Sequence, residues 1–80
     1  LKEREVDMRG NKISAIENLA ITRDRFDTID LTDNEIKVLG NFPTFNRLRS
    51  LFLSNNQVNR IDEDMEGRLP YLETLVLTNN

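Results

Sequence analysis

The side chains in this 80-residue chain best suited to chemistry are carboxylates. Asp and Glu number 14 against 11 Lys and Arg, and there is no histidine and no cysteine. Two facing carboxylates can divide acid and base roles, and Asp7 and Asp30 are the candidate pair. Asp62, Glu63 and Asp64 form a denser acidic run. Their spacing and the missing turn glycine do not fit a calcium loop, and the run reads instead as the acidic start of a helix. The absence of histidine removes the commonest general base and the commonest metal ligand. The absence of cysteine removes disulfides and thiolate sites, which allows a reducing compartment. No glycine-rich phosphate loop and no nucleophile–base set is present. The expectation is a non-enzyme with no cofactor and no metal, its acids facing solvent or a partner.

What positions those acids is a repeat. Phe26, Ile29, Leu31, Asn34 and Ile36 fit L-x-x-L-x-L-x-x-N-x-L, the leucine-rich repeat pattern, with Phe and Ile at leucine positions. The frame returns at Leu48, Leu51, Leu53, Asn56 and Val58, and at Leu72, Leu75, Leu77 and Asn80. A degenerate copy holds Val6, Met8, Asn11 and Ile13, with Glu3 at the first leucine position. The asparagines at 11, 34, 56 and 80 are separated by 23, 22 and 24 residues. This divides the chain into repeats of about 3–25, 26–47 and 48–71, with an incomplete fourth at 72–80. Neither end carries a visible polar cap, so a fragment of a longer solenoid is expected.

Each repeat predicts one strand and one return. The strands fall at Lys2–Met8, Thr28–Leu31 and Ser50–Leu53, and from Thr74 onward, with period-2 alternation setting the inward leucines. Three-residue spacing of Ile13, Ile16 and Leu19, and of Ile36, Leu39 and Phe42, predicts 3₁₀-like returns. Ile61, Met65 and Leu69 at four-residue spacing predict a helix limited by Gly67 and Pro70. Asn11, Asn34, Asn56 and Asn80 should turn the chain and bond backbone groups left unpaired there. The expected fold is an α/β solenoid with a curved parallel sheet on its concave side and 3₁₀ or helical returns on its convex side.

The outward positions then form columns. One holds Glu5, Thr28, Ser50 and Thr74; the next Asp7, Asp30, Phe52 and Val76; the third Arg9, Thr32, Ser54 and Thr78. Small polar residues leave a shallow trough. Single exposed apolar side chains are ordinary, but Phe52 and Val76 are predicted neighbours in the middle of the open face, beside Asp7 and Asp30. Asp7, Arg9, Thr28, Asp30, Thr32, Ser50, Phe52, Ser54, Thr74 and Val76 are therefore the candidate partner-binding residues, the acids favouring a basic segment. Arg4, Arg9 and Lys12, with Lys2, Arg23 and Arg25 nearby, are a weaker candidate for touching a phosphate backbone. Interleaved acids dilute that cluster, and a net charge of -3 does not describe a surface built wholly for nucleic acid. No apolar run approaches the ~20 residues of a membrane helix, and no membrane partner is expected.

Beyond the generic repeat, Glu5-Val6-Asp7-Met8-Arg9-Gly10-Asn11-Lys12-Ile13, Ile16-Glu17-Asn18-Leu19 and the stretch from Phe26-Asp27 through Ile36 resemble the A-prime family of the U2 small nuclear ribonucleoprotein. Phe42-Pro43, Arg47-Leu48 and Leu75-Val76-Leu77-Thr78-Asn79-Asn80 continue the likeness. Ala20-Ile21 and Gln57 depart from the Gly-Ala and Arg usual in that family. The resemblance implies a nuclear, spliceosomal scaffold whose concave face holds a helix of an RNA-recognition-motif partner, the B-double-prime protein. U2 small nuclear RNA would be bound mainly through that partner, alongside other spliceosomal proteins. Two other readings stay open. One is a phosphatase-regulatory or dynein-light-chain-like adaptor without RNA; the other is a recognition module attached to a catalytic part beyond Asn80.

Overall fold

A computed structural model of the chain describes residues 4–18 and 24–80. Lys2, Glu3, Leu19, Ala20, Ile21 and Arg23, named above, lie outside the described residues. Four short strands, β1 (Glu5–Asp7), β2 (Thr28–Asp30), β4 (Ser50–Phe52) and β6 (Thr74–Val76), lie side by side and parallel in the order β1-β2-β4-β6. Parallel neighbours need a crossover, and here each is one repeat long. The strands are a residue or more shorter than the alternation suggested. Ladder bonds nevertheless continue past them, from Leu31 N–H to Phe52 O at 2.8 Å and from Leu53 N–H to Val76 O at 2.9 Å.

Period-2 alternation puts Ile29 and Leu51 beneath the sheet, and Leu31 and Leu53 follow them inward. With Ile36, Leu39 and Leu48 they are fully buried. Phe42, Phe45, Ile16, Met65 and Leu69 complete the core. Phe45 joins it because Phe42, Phe45 and Leu48 continue the three-residue spacing of Ile36, Leu39 and Phe42. Val6, Met8, Leu72 and Leu77 are only partly buried, and Leu75 is exposed. The middle repeats have a neighbour on both sides, and the outer ones have a described neighbour on one side only.

The returns differ most from expectation. Ile16–Asn18 forms the 3₁₀ turn. Val38–Leu39 (β3) and Arg60–Ile61 (β5) pair in a second, two-stranded parallel sheet. Ile61, expected at the start of a helix, lies in β5 and is 51% exposed. The helix (α1) runs only over Met65–Arg68. Backbone pairing with the preceding repeat persists as far as Asp62, whose N–H donates to Leu39 O at 2.9 Å, so the chain is not released to coil until Asp64. The acidic run divides accordingly. Asp62 pairs with Arg60 at 3.1 Å, and Asp64 faces Arg68 at 3.9 Å.

Asparagines hold the repeats in register. The Asn34 amide donates to Leu31 O and Met8 O, both at 2.9 Å, while its Oδ1 accepts from the N–H groups of Asn11 and Ile13 at 3.0 Å. Asn56 repeats this one turn on, donating to Leu31 O and Leu53 O and accepting from Ile36 N–H. Asn80 donates to Leu53 O at 2.7 Å and accepts from Val58 N–H. Each of these three asparagines thus ties its own turn to the one before. Asn11 contributes its backbone N–H to Asn34. The residue before each ladder asparagine has positive φ: Gly10 at 66°, Asp33 at 61°, Asn55 and Asn79 at 59°. Glycine, Asn and Asp are the residues that tolerate this left-handed turn.

Candidate partner interface on the concave sheet

The upper surface of the main sheet follows from the register. Glu5 lies beside Thr28, Thr28 beside Ser50 and Ser50 beside Thr74. In the next column Asp7 lies beside Asp30, Asp30 beside Phe52 and Phe52 beside Val76. Parallel strands set such neighbours ~4.8 Å apart. Bonds from Gly10 N–H to Thr32 O, Asp33 N–H to Ser54 O and Asn55 N–H to Thr78 O carry the register onward, so Arg9, Thr32, Ser54 and Thr78 form the third column. The candidate partner-binding residues are thereby brought onto one surface. Phe52 and Val76 are half-buried there, each keeping an apolar side open.

The charges are less free than the sequence suggested. Arg9 folds back onto Asp7, with Nε donating to Oδ1 at 2.9 Å and Nη2 to Oδ2 at 2.8 Å. The Arg9 backbone N–H also donates to Asp7 Oδ1 at 3.1 Å. The guanidinium, with that backbone bond, holds the Asp7 carboxyl down to about 2. Asp30 uses the same local turn, its Oδ1 accepting from Thr32 N–H at 3.0 Å. Its Oδ2 lies 3.9 Å from Arg9 Nε, beyond hydrogen-bond length. The Asp30 side chain is 18% exposed against 54% for Asp7.

Arg4, Arg9 and Lys12 lie at successive points along the first repeat. Arg4 precedes β1, Lys12 follows the turn beyond it, and Arg9 is committed to Asp7 between them. The side of the sheet where the strands begin is instead laced by acids. Asp27 accepts from Arg4 N–H at 3.0 Å and lies 3.5 Å from Arg47 Nη2, contacts that hold its carboxyl below the ordinary range. Asp24 accepts from the N–H groups of Asn46 and Arg47, and Arg49 meets Glu73 at 2.6 Å. Sequence reasoning missed these contacts. Most of them run to backbone N–H groups, which any non-proline residue supplies, so residue types alone did not signal them.

Comparison with known proteins decides the family. A leucine-rich repeat family model matches residues 1–80. The chain belongs to the leucine-rich repeat family. Among curated relatives of these repeats, the U2 small nuclear ribonucleoprotein A' of Arabidopsis thaliana is 59% identical over 80 residues, covering the whole chain and 32% of that protein. The Homo sapiens protein of the same name is 50% identical over 80 residues, again the whole chain and 31% of the relative. The repeats therefore span about a third of the length of these relatives. A chain in the crystal structure of the Drosophila melanogaster SNF/U2A' complex is 51% identical and superposes with a TM-score of 0.91, covering 98% of this chain and 45% of that one. The resemblance read from Glu5–Ile13 and Phe26–Ile36 extends over the whole chain.

Proposed function

We propose that these repeats belong to a non-catalytic scaffold of the nuclear U2 small nuclear ribonucleoprotein acting in pre-mRNA splicing. The concave sheet holds an RNA-recognition-motif protein of the B-double-prime type, and that partner carries most of the contact with a U2 RNA hairpin. The similarity to a chain in the SNF/U2A' complex, 51% identical with a TM-score of 0.91, is the observation that carries this reading. The column of Asp30, Phe52 and Val76 supports it with apolar area rimmed by small polar residues and one carboxylate. Phe52 is already half-buried, so a partner covers its remaining open area and gains a part of the ~1.5–3 kcal/mol of a full burial.

The test is co-purification of the full-length protein with the RNA-recognition-motif partner and the U2 hairpin, comparing wild type with Asp30→Arg plus Phe52→Glu. Circular dichroism establishes that the double variant folds. Loss of the partner with the fold intact is expected. Retention would remove the concave sheet as the docking face, and failure of wild type to bring down either partner or RNA would favour an adaptor without RNA.

A further inference from the structure

We infer that Asp7 acts through Arg9: by holding the guanidinium it keeps the neighbouring Asp30 carboxylate open to a lysine or arginine of the protein partner. This rests on the concave sheet being the docking face. Arg9 has two carboxylates within reach, one in its own repeat and one on the adjacent strand. It makes paired bonds of 2.9 and 2.8 Å to Asp7 and leaves Asp30 Oδ2 at 3.9 Å. Among the described residues, the hydrogen bond to Asp30 falls on Oδ1, from Thr32 N–H. Oδ2 therefore keeps its capacity to accept.

Placement makes Asp30 the better receptor of the two. In register it adjoins Phe52, while Asp7 lies one strand further out at the margin. A basic side chain can lay its aliphatic stem over Phe52 and set its head on Asp30. Water excluded by the Phe52–Val76 contact would strengthen that ion pair. Asp7 holds Arg9 at hydrogen-bond length, whereas Asp30 meets it only at 3.9 Å. If Asp7 loses its charge, Arg9 has only a short distance to close onto Asp30 and would occupy the receptor itself.

The experiment measures affinity between the full-length protein and a purified RNA-recognition-motif protein of the SNF type, by fluorescence anisotropy at two salt concentrations. Asp30→Asn should weaken binding about tenfold or more and flatten the salt dependence. Asp7→Asn should also weaken binding several-fold, by releasing Arg9 onto Asp30. Adding Arg9→Gln to Asp7→Asn should bring affinity to within about twofold of Arg9→Gln alone, a coupling that a merely structural role for Asp7 would not produce. Arg9→Gln alone is the reference for any direct contact Arg9 makes: Asp7→Asn should cost several-fold with Arg9 present and less than about twofold in the Arg9→Gln background. Equal losses from Asp7→Asn with and without Arg9, or no loss at all, overturn the inference. Phe52→Glu separates the two levels. If it abolishes binding while the Asp7 and Arg9 effects simply add, the inference fails alone. If it leaves binding intact, the docking face and the inference fail together.

Discussion

Asn56 donates its side-chain amide to the carbonyl of Leu31, a residue 25 positions earlier and one repeat away, at 2.9 Å. The same nitrogen bonds Leu53 O in its own repeat at 3.0 Å, so one buried side chain closes a turn and staples two turns together. Replacing Asn56 by Leu would fill a similar volume but leave the buried Ile36 N–H without its partner, and would strip one of two side-chain donors from each of Leu31 O and Leu53 O, which keep Asn34 and Asn80. A loss of about 2 kcal/mol or more is expected from urea unfolding. Asn80→Leu should cost less, since Asn80 is exposed and its orphaned partners can turn to water.

Gly40 is fixed by a neighbour in the next repeat. A Cβ at this buried position would collide with the carboxylate of Asp62 and press on its Cβ. Asp62 is tied in turn to Arg60 and, through its backbone, to Leu39. The carboxylate can swing away at the cost of its surface pair with Arg60, so Gly40→Ala should destabilise by about 1 kcal/mol or less, and Gly40→Ala with Asp62→Ala should recover most of the loss in a thermal unfolding cycle.

Asp33, at φ 61°, also accepts from the Asn55 amide at 2.8 Å, and Asn55 accepts from the Asn79 amide at 2.9 Å. Asn55 shares the left-handed conformation, at φ 59°. A β-branched residue strains there. Asn55→Val should lower stability by about 1–3 kcal/mol, and Asn55→Gly should be the milder change. Chemical denaturation of the two variants in parallel tests the order.

Acid should loosen the structure in a defined window. The Asp7 carboxyl is lowered from 3.8 to about 2 by Arg9, and Asp27 is lowered by Arg4 N–H and Arg47. A folded-state value below the unfolded one favours the folded state above about pH 4, and that contribution fades as pH falls towards 2. Midpoints of unfolding should be flat from about pH 7 to 5 and drop below about pH 4. Asp27→Asn should lower the midpoint at neutral pH and flatten the acid limb. A wild-type midpoint unchanged between about pH 5 and 2.5 would contradict this assignment.

The sequence by itself determined the repeat, the order of the strands and the register of the outward columns. The inward positions Ile29, Leu31, Leu51 and Leu53, and the asparagines at 34 and 56, recur on a fixed period. A period fixes which residues of successive turns lie side by side, so Asp30, Phe52 and Val76 could be placed together from their numbering alone. The family likeness was legible for the same reason, in residues such as Arg9-Gly10 that the repeat does not require. Tertiary structure decided what depends on contacts across the period rather than along it. Ile61 left the helix its spacing suggested because β3 captured its backbone, and a pattern of side chains carries no record of that competition. Arg9 could have met Asp7, Asp30 or a phosphate. Between the two carboxylates, the folded backbone, which presents Asp7 Oδ1 to both Arg9 N–H and Nε, favoured Asp7.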